Sequence, residues 1–462
     1  MSKKILSRRE FLRLATITAA GGVLAACTKA VTPTQEAPPE VQPTAPPPPE
    51  EATIRYWTGW GGDWSGKTWE ALQATETYKK MFANETVELK GGVPYEAFLT
   101  AIAGGEPPDG ASNIQYIDYM ARDVLRPLED YVAASSIIKK EEFVEGNWNQ
   151  GFFKGAQLGV PAIECFLQYG LDYNTKMVED AGLDPDKPPE TWEEVSAWNE
   201  KLTKFDSAGN LLQIGLDPYD AMAGGLWDTS AFFVPLSFGW DWWDASTGEF
   251  DLDNEKMVEG LTVMSEMAKT MGVEKLAGLH AVEGQGQCGD SFNASVQAMI
   301  IEGYWHPGET MAAKPEVAQY NRATWIPVPE SRRGSKCQGA GGHLVVVLKD
   351  AKNPDGMFKV AEFLNTQEAC DVIFKSIGWL PALKSFIAQT DPSSYPGLDF
   401  YFRSVTEAND WRGPEPCPIT EFINVSFVEL HDKVDRDELT PVEAASELQK
   451  RAVEEYKAQG FG

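Results

Sequence analysis

Between Thr28 and Glu51 the chain carries prolines at 33, 38, 39, 43, 46, 47, 48 and 49, and this run limits the fold more than any other feature. Proline fixes φ and removes a backbone donor, so the stretch joins neither a helix nor a sheet ladder and favours extended polyproline II. The folded body therefore begins after it, near residue 53. At ~3.1 Å per residue the stretch reaches up to ~70 Å, which suits a tether. The remainder of the 462-residue chain has room for two or three ordinary domains. Apolar residues at 43% and aromatics at 11% supply a sizeable core and exclude global disorder. A net charge of −29 argues against nucleic acid as a partner, because neutralising phosphates needs a basic stripe. Past the N-terminus no run of apolar residues is long enough to span a membrane as a helix.

Ahead of the tether, Ser7-Arg8-Arg9-Glu10-Phe11-Leu12-Arg13 leads into a short apolar stretch from Leu14 that ends in Leu24-Ala25-Ala26-Cys27. The order and spacing resemble a twin-arginine export signal closing on a bacterial lipobox. The resemblance implies that residues 1–26 are removed, that Cys27 is lipidated, and that residues 27–52 tether the body to a membrane touched only through the lipid. Five cysteines remain, Cys165, Cys288, Cys337, Cys370 and Cys417. Their odd number allows at most two disulfides with the pairing open, and free buried thiols are expected for some.

The body reads as α/β. Thr53 to Trp57 and Val87 to Leu89 are β-like runs, with a helical stretch around Trp69 to Phe82 between them. Tyr95, Phe98, Leu99 and Ile102 share one helical face, and Thr191-Trp192-Glu193-Glu194 is a capping box. Leu344 to Leu348 is a continuous apolar strand followed by a helix bearing Met357, Val360, Phe363 and Leu364; Thr440-Pro441-Val442-Glu443 opens a last helix that Gly460 can close. The alternation predicts parallel sheets flanked by helices.

Motifs for covalent or metal chemistry mostly fail. The chain has no H-E-x-x-H, C-x-x-C or phosphate-binding glycine loop, its four histidines are scattered, and no cofactor or metal is expected. Gly284 to Gly289 fits G-x-G-x-x-G but lacks the preceding apolar strand of a dinucleotide site. Asp251-Leu252-Asp253-Asn254 lacks the glycine and distal glutamate of a calcium loop. Tryptophan placement says more. Trp57, Trp60 and Trp64 lie in a glycine-rich loop after the first strand, Trp242 stands among acids, and Trp227, Trp305, Trp379 and Trp411 sit beside Gly, Asp or His. Indole faces stack on the C–H faces of sugar rings while nearby carboxylates accept hydroxyl hydrogen bonds. Any one of these rings could instead be a hydrophobic plug; together they suggest a ligand surface.

Several short pieces then resemble, in family order, the extracellular solute-binding proteins of ABC importers, in the carbohydrate branch. They are Gly105-Glu106-Pro107-Pro108-Asp109, Leu158-Gly159-Val160-Pro161 leading to Tyr173-Asn174, Ala181-Gly182-Leu183 with Thr191-Trp192, and Ala298 to Trp305. Gly339-Ala340-Gly341-Gly342, Lys352-Asn353-Pro354 and Gly378-Trp379-Leu380-Pro381 complete the series. The resemblance implies a type II periplasmic-binding-protein-like clamp, two α/β lobes joined by hinge strands. Lobe 1 would hold 53–162 and about 327–382, and lobe 2 would hold 163–326 and about 383–462. Crossings are expected near Pro161 to Phe166, Trp325 to Pro329 and Leu380 to Ser385. The implied function is a monomeric, non-enzymatic receptor at the extracytoplasmic face of the bacterial membrane, or in a periplasm. It would capture a mono- or oligosaccharide and pass it to ABC permease subunits. Expected contacts are Trp305 as a stacking platform, Glu164 as a hydroxyl acceptor at the hinge, Gly341 and Gly342, and Asp109 with Trp60 or Trp64 as the first-lobe half. A surface glycoside hydrolase, or a receptor for a non-sugar solute, is the alternative.

Overall fold

The computed structural model describes residues 52–217, 233–280, 290–339, 341–412 and 417–461. Cys27 with the leader and tether, Trp227, and Cys288 with its glycine-rich run lie outside these residues. Strand β1 (Ala52–Thr58) alternates as a half-buried strand should, with Ile54, Tyr56 and Thr58 inward. It is followed by β2 (Glu85–Lys90), α1 (Tyr95–Ala103), β3 (Gly110–Ser112), α2 (Tyr116–Ala121) and β4 (Val160–Pro161). The chain then builds β5 (Gly170–Asn174), α3 (Trp192–Leu202), α4 (Glu255–Met271), β6 (Met299–Glu302), α5 (Trp305–Ala313) and β7 (Asn321–Thr324). It returns as β8 (Leu344–Val347), α6 (Pro354–Leu364) and α7 (Gln367–Ile377), and ends with α8 (Thr420–Asp435) and α9 (Pro441–Ala458).

Two sheets organise these elements. The first has the order β2-β1-β3-β8-β4; β1 runs parallel to β2 and β3, whereas β8 is antiparallel to β3 and β4. The second, β6-β5-β7, is antiparallel throughout. Within these two sheets parallel pairing is confined to β1, β2 and β3, and a separate two-stranded parallel pair joins Cys337–Gly339 to Asp410–Arg412. Each sheet carries its own apolar core, and α4, α8 and α9 pack on the second through Met257, Leu261, Ile423, Phe427, Leu430 and Leu448. Cys165, Cys337, Cys370 and Cys417 are buried and stand outside any disulfide among the described residues.

Residues 162–168 run antiparallel against Gly339, Gly341 and His343. Ala162 N donates to His343 O at 3.1 Å, His343 N to Glu164 O at 2.8 Å, and Gln168 N to Gly339 O at 2.9 Å. Leu380 O joins them by accepting from Cys165 N at 2.8 Å. These bonds bring Gly339, Gly341 and His343 beside the crossing expected near Pro161 to Phe166. Val328 bridges Thr191, and its carbonyl accepts from Trp192 N at 3.1 Å at the start of α3. Strand β5 begins only at Gly170, because the residues before it pair with Gly339, Gly341 and His343. Gly341 and Gly342 permit this approach: a Cβ on Gly341 would lie 1.8 Å from Gln168 Nε2, and one on Gly342 2.5 Å from Cys165 Cα.

Candidate functional site

Strands β1 and β3 end side by side at Thr58 and Ser112, and the glycine-rich loop starts there. Gly59 is required at the turn, since a Cβ would stand 2.4 Å from Asn113 O. The loop then folds Trp60 and Trp64 edge to face, with ring centroids 5.7 Å apart. Trp379 completes the group, 4.8 Å from Trp60 and stacked on Trp64 at 5.7 Å. It is delivered by α7, which Gly378 ends in the left-handed conformation at φ +77°. Trp64 and Trp379 are buried, while Trp60 keeps an accessible side and meets the His343 ring edge-on at 4.4 Å.

Polar groups surround these rings. Trp379 Nε1 donates to Glu309 Oε1 at 2.6 Å, and Glu309 stands four residues after Trp305, on the same face of α5. His343 Nε2 lies 3.3 Å from Glu164 Oε2, and its Nδ1 lies 3.3 Å from Tyr116 Oη. Tyr304 Oη donates to Leu380 O at 3.1 Å and accepts from Leu380 N at 3.0 Å, so it ties the end of β6 to the segment after α7. Trp305 is partly buried, its ring lies over Gly303, and its Nε1 has no hydrogen-bond partner among the described residues.

Burial sets the charge here. It pushes the Glu164 carboxyl up to about 8, with Glu309 adding to the effect. Burial, together with the neighbouring Glu302 charge, also raises Glu309 to about 8. Burial lowers His343 to about 3, so at neutral pH the histidine is neutral and the two acids largely hold their protons. The site thus offers indole surface plus uncharged donors and acceptors, a set that suits a polyhydroxylated ring. No group of three or more metal-ligating side chains occurs among the described residues.

Of the residues singled out from the sequence, Trp60, Trp64, Glu164 and Trp379 come together, with Trp305, Gly341 and Gly342 alongside. Four others do not join them. Trp57 points to the other face of the first sheet, against Phe98 at 5.5 Å and under Lys90. Trp242 is buried in the second-lobe core, and Trp411 is 48% exposed on the short strand Asp410–Arg412 with no ring contact to the group. Asp109 is fully buried, and its two oxygens accept from Arg55 N at 2.7 Å and Asn353 N at 2.8 Å, so the carboxylate braces the loop instead of facing ligand. His343, Tyr304, Tyr116 and Glu309 escaped the sequence reading. The helical spacing from Trp305 could have found Glu309; nothing local marks His343.

Residues 62–369 match the family described as bacterial extracellular solute-binding protein. A search of curated proteins finds no match. Among solved structures, the chain is similar to CpMnBP1 with mannotriose bound, at TM-score 0.74 and 20% identity, covering 87% of this chain and 100% of that one. It is also similar to an ABC transporter solute-binding protein from Thermotoga lettingae bound with alpha-D-tagatose, at TM-score 0.71 and 19% identity, over 87% and 98% of the two chains. A third is the maltose/maltodextrin-binding domain MalE from Bdellovibrio bacteriovorus bound to maltotriose, at TM-score 0.69 and 17% identity, over 88% and 100%. At such identities the likeness shows the fold.

Proposed function

This chain belongs to the bacterial extracellular solute-binding proteins, and on that premise we propose that its solute is a sugar or oligosaccharide held between the lobes. The observation that carries the reading is the group Trp60, Trp64 and Trp379 set against Glu164, His343 and Glu309 where the chain crosses between lobes. Sugar rings lie against the accessible indole surface of Trp60 and of Trp305, hydroxyls exchange hydrogen bonds with the acids and the histidine, and lobe closure removes water. Sugars seated in structural relatives support this choice of ligand. The receptor releases its cargo unchanged to the membrane subunits of an ABC importer. It works as a monomer held at the outer face of the membrane by lipid on Cys27. Calorimetric titration with mannotriose and maltotriose tests the ligand class. Saturable binding that Trp60→Ala weakens by roughly tenfold or more is the expected result. Absence of binding across a wider panel of mono- and oligosaccharides would overturn it. Recovery of the oligosaccharide intact after prolonged incubation separates a receptor from a glycoside hydrolase.

A further inference from the structure

Ile163 is the only β-branched residue among the described residues with a positive φ, +76°. Its flanking groups are bonded across it, Glu164 N donating to Ala162 O at 3.0 Å. An i to i+2 bond around a central residue of that φ is the strained form of the γ-turn, which a branched Cβ disfavours further. Such a backbone persists only when its surroundings over-determine it, and here they do. The Ile163 side chain is 1% exposed within the first-lobe core. Ala162 N and Glu164 O are both paired with His343, Cys165 N with Leu380 O, and the Cys165 thiol donates to Ala162 O and His343 O.

The geometry points to Ile163 as a positioning residue, whose anchored γ-turn fixes the direction in which Glu164 enters the cleft. An extended residue at 163 would continue the hinge ladder and change the face on which residue 164 emerges. With the turn in place, the Glu164 carboxyl meets His343 Nε2 at 3.3 Å and the Tyr304 hydroxyl, with Glu309 and Cys165 as the other titratable neighbours. The consequence for capture rests on the sugar reading above; the turn itself does not.

A double-mutant cycle tests it without ligand. Ile163→Gly and Ile163→Val are each made in the wild-type chain and in Glu164→Gln, and stability is measured by urea denaturation from pH 4.5 to 8. A carboxyl whose proton is held more tightly in the folded state makes stability fall as pH rises through that window, and Glu164→Gln removes its share of the fall. Ile163→Gly frees the turn and lets the carboxyl reach water, so it is expected to abolish the Glu164-dependent slope. Ile163→Val keeps a branched anchor and is expected to retain it. If Ile163→Gly does not fold, Ile163→Ala is read in its place. A full Glu164-dependent slope in the folded glycine or alanine variant would overturn the assignment, because a residue that only fills the core lowers stability equally at every pH. Mannotriose titration of the wild type, Ile163→Gly, Glu164→Gln and the double variant is a separate arm. Loss from Ile163→Gly that disappears in the Glu164→Gln background supports positioning, and equal loss in both backgrounds opposes it. Failure of the wild-type chain to bind counts against the sugar reading alone, and the pH cycle still decides Ile163.

Discussion

Asp109 spends both carboxylate oxygens on the backbone amides of Arg55 and Asn353, and so ties β1 to the loop that caps α6. Asp109→Ala leaves those buried donors unpaired and is expected to cost about 1–3 kcal/mol, lowering the melting temperature by several degrees. Sugar affinity should stay unchanged, and calorimetry of the free and mannotriose-loaded variant checks both. Glu309 behaves differently because its proton, not only its hydrogen bond, depends on folding. Its folded pKa of about 8 lies above the ordinary carboxyl value, so its contribution to stability is present at low pH and is lost as pH rises from about 4.5 to 8. Glu309→Gln still accepts from Trp379 Nε1, so the variant should match the wild type near pH 4.5 and exceed it at pH 8. The two curves should diverge by up to ~1.4 kcal/mol per pH unit, and a constant offset between them would refute this. Its place in a loop behind Pro107 and Pro108 made Asp109 a candidate ligand contact in the sequence. Its burial comes from Arg55 and Asn353, far along the chain in either direction, which no local pattern encodes.

Among elements, α5 and α7 matter most because together they set Trp379 against Glu309. They touch through glycines: a Cβ on Gly308 would fall 2.4 Å from Gly378 Cα, and the reverse contact is equally short. Gly308→Ala has no φ penalty in a helix, so its effect is steric. It should push the helices apart, destabilise by about 1–3 kcal/mol and weaken sugar binding, read together by denaturation and titration. Helix starts were legible because caps are local chemistry. Thr440 and Glu443 form the full reciprocal box at α9. At α3, Thr191 caps the Glu194 amide as expected, but the Glu194 carboxylate reaches Glu190 N and also meets Arg333, a partner supplied by the fold. The single helix expected around Trp69 to Phe82 breaks at Thr75, whose extended backbone ends one short helix and caps the next.

Across the whole molecule, two hydrogen bonds join the segment 115–122 to the C-terminal helices. Gln115 Nε2 donates to Glu421 Oε2 at 2.9 Å, and an Arg122 guanidinium nitrogen lies 3.4 Å from Gln459 Oε1. They join the region of α2 to α8 and the end of α9, so opening of a two-lobed clamp is expected to break them. Removing them with Gln115→Ala and Arg122→Ala should cost the closed state about 1 kcal/mol, roughly a fivefold shift toward open forms. Small-angle scattering of the free protein should then give a larger radius of gyration, and added sugar should restore the compact value; an unchanged radius would refute the latch. The sequence by itself determined where the fold begins, that it is α/β, and that indoles cluster after the first strand. All of these rest on short-range chemistry: proline, strand and helix periodicity, caps, and motifs kept in order. Only the tertiary structure decided which tryptophans meet, that β8 enters antiparallel, that residues 162–168 pair with Gly339, Gly341 and His343, and that His343 and Glu309 stand beside the indoles. Those outcomes depend on contacts between residues hundreds of positions apart, where packing and burial choose among partners that local sequence leaves equivalent.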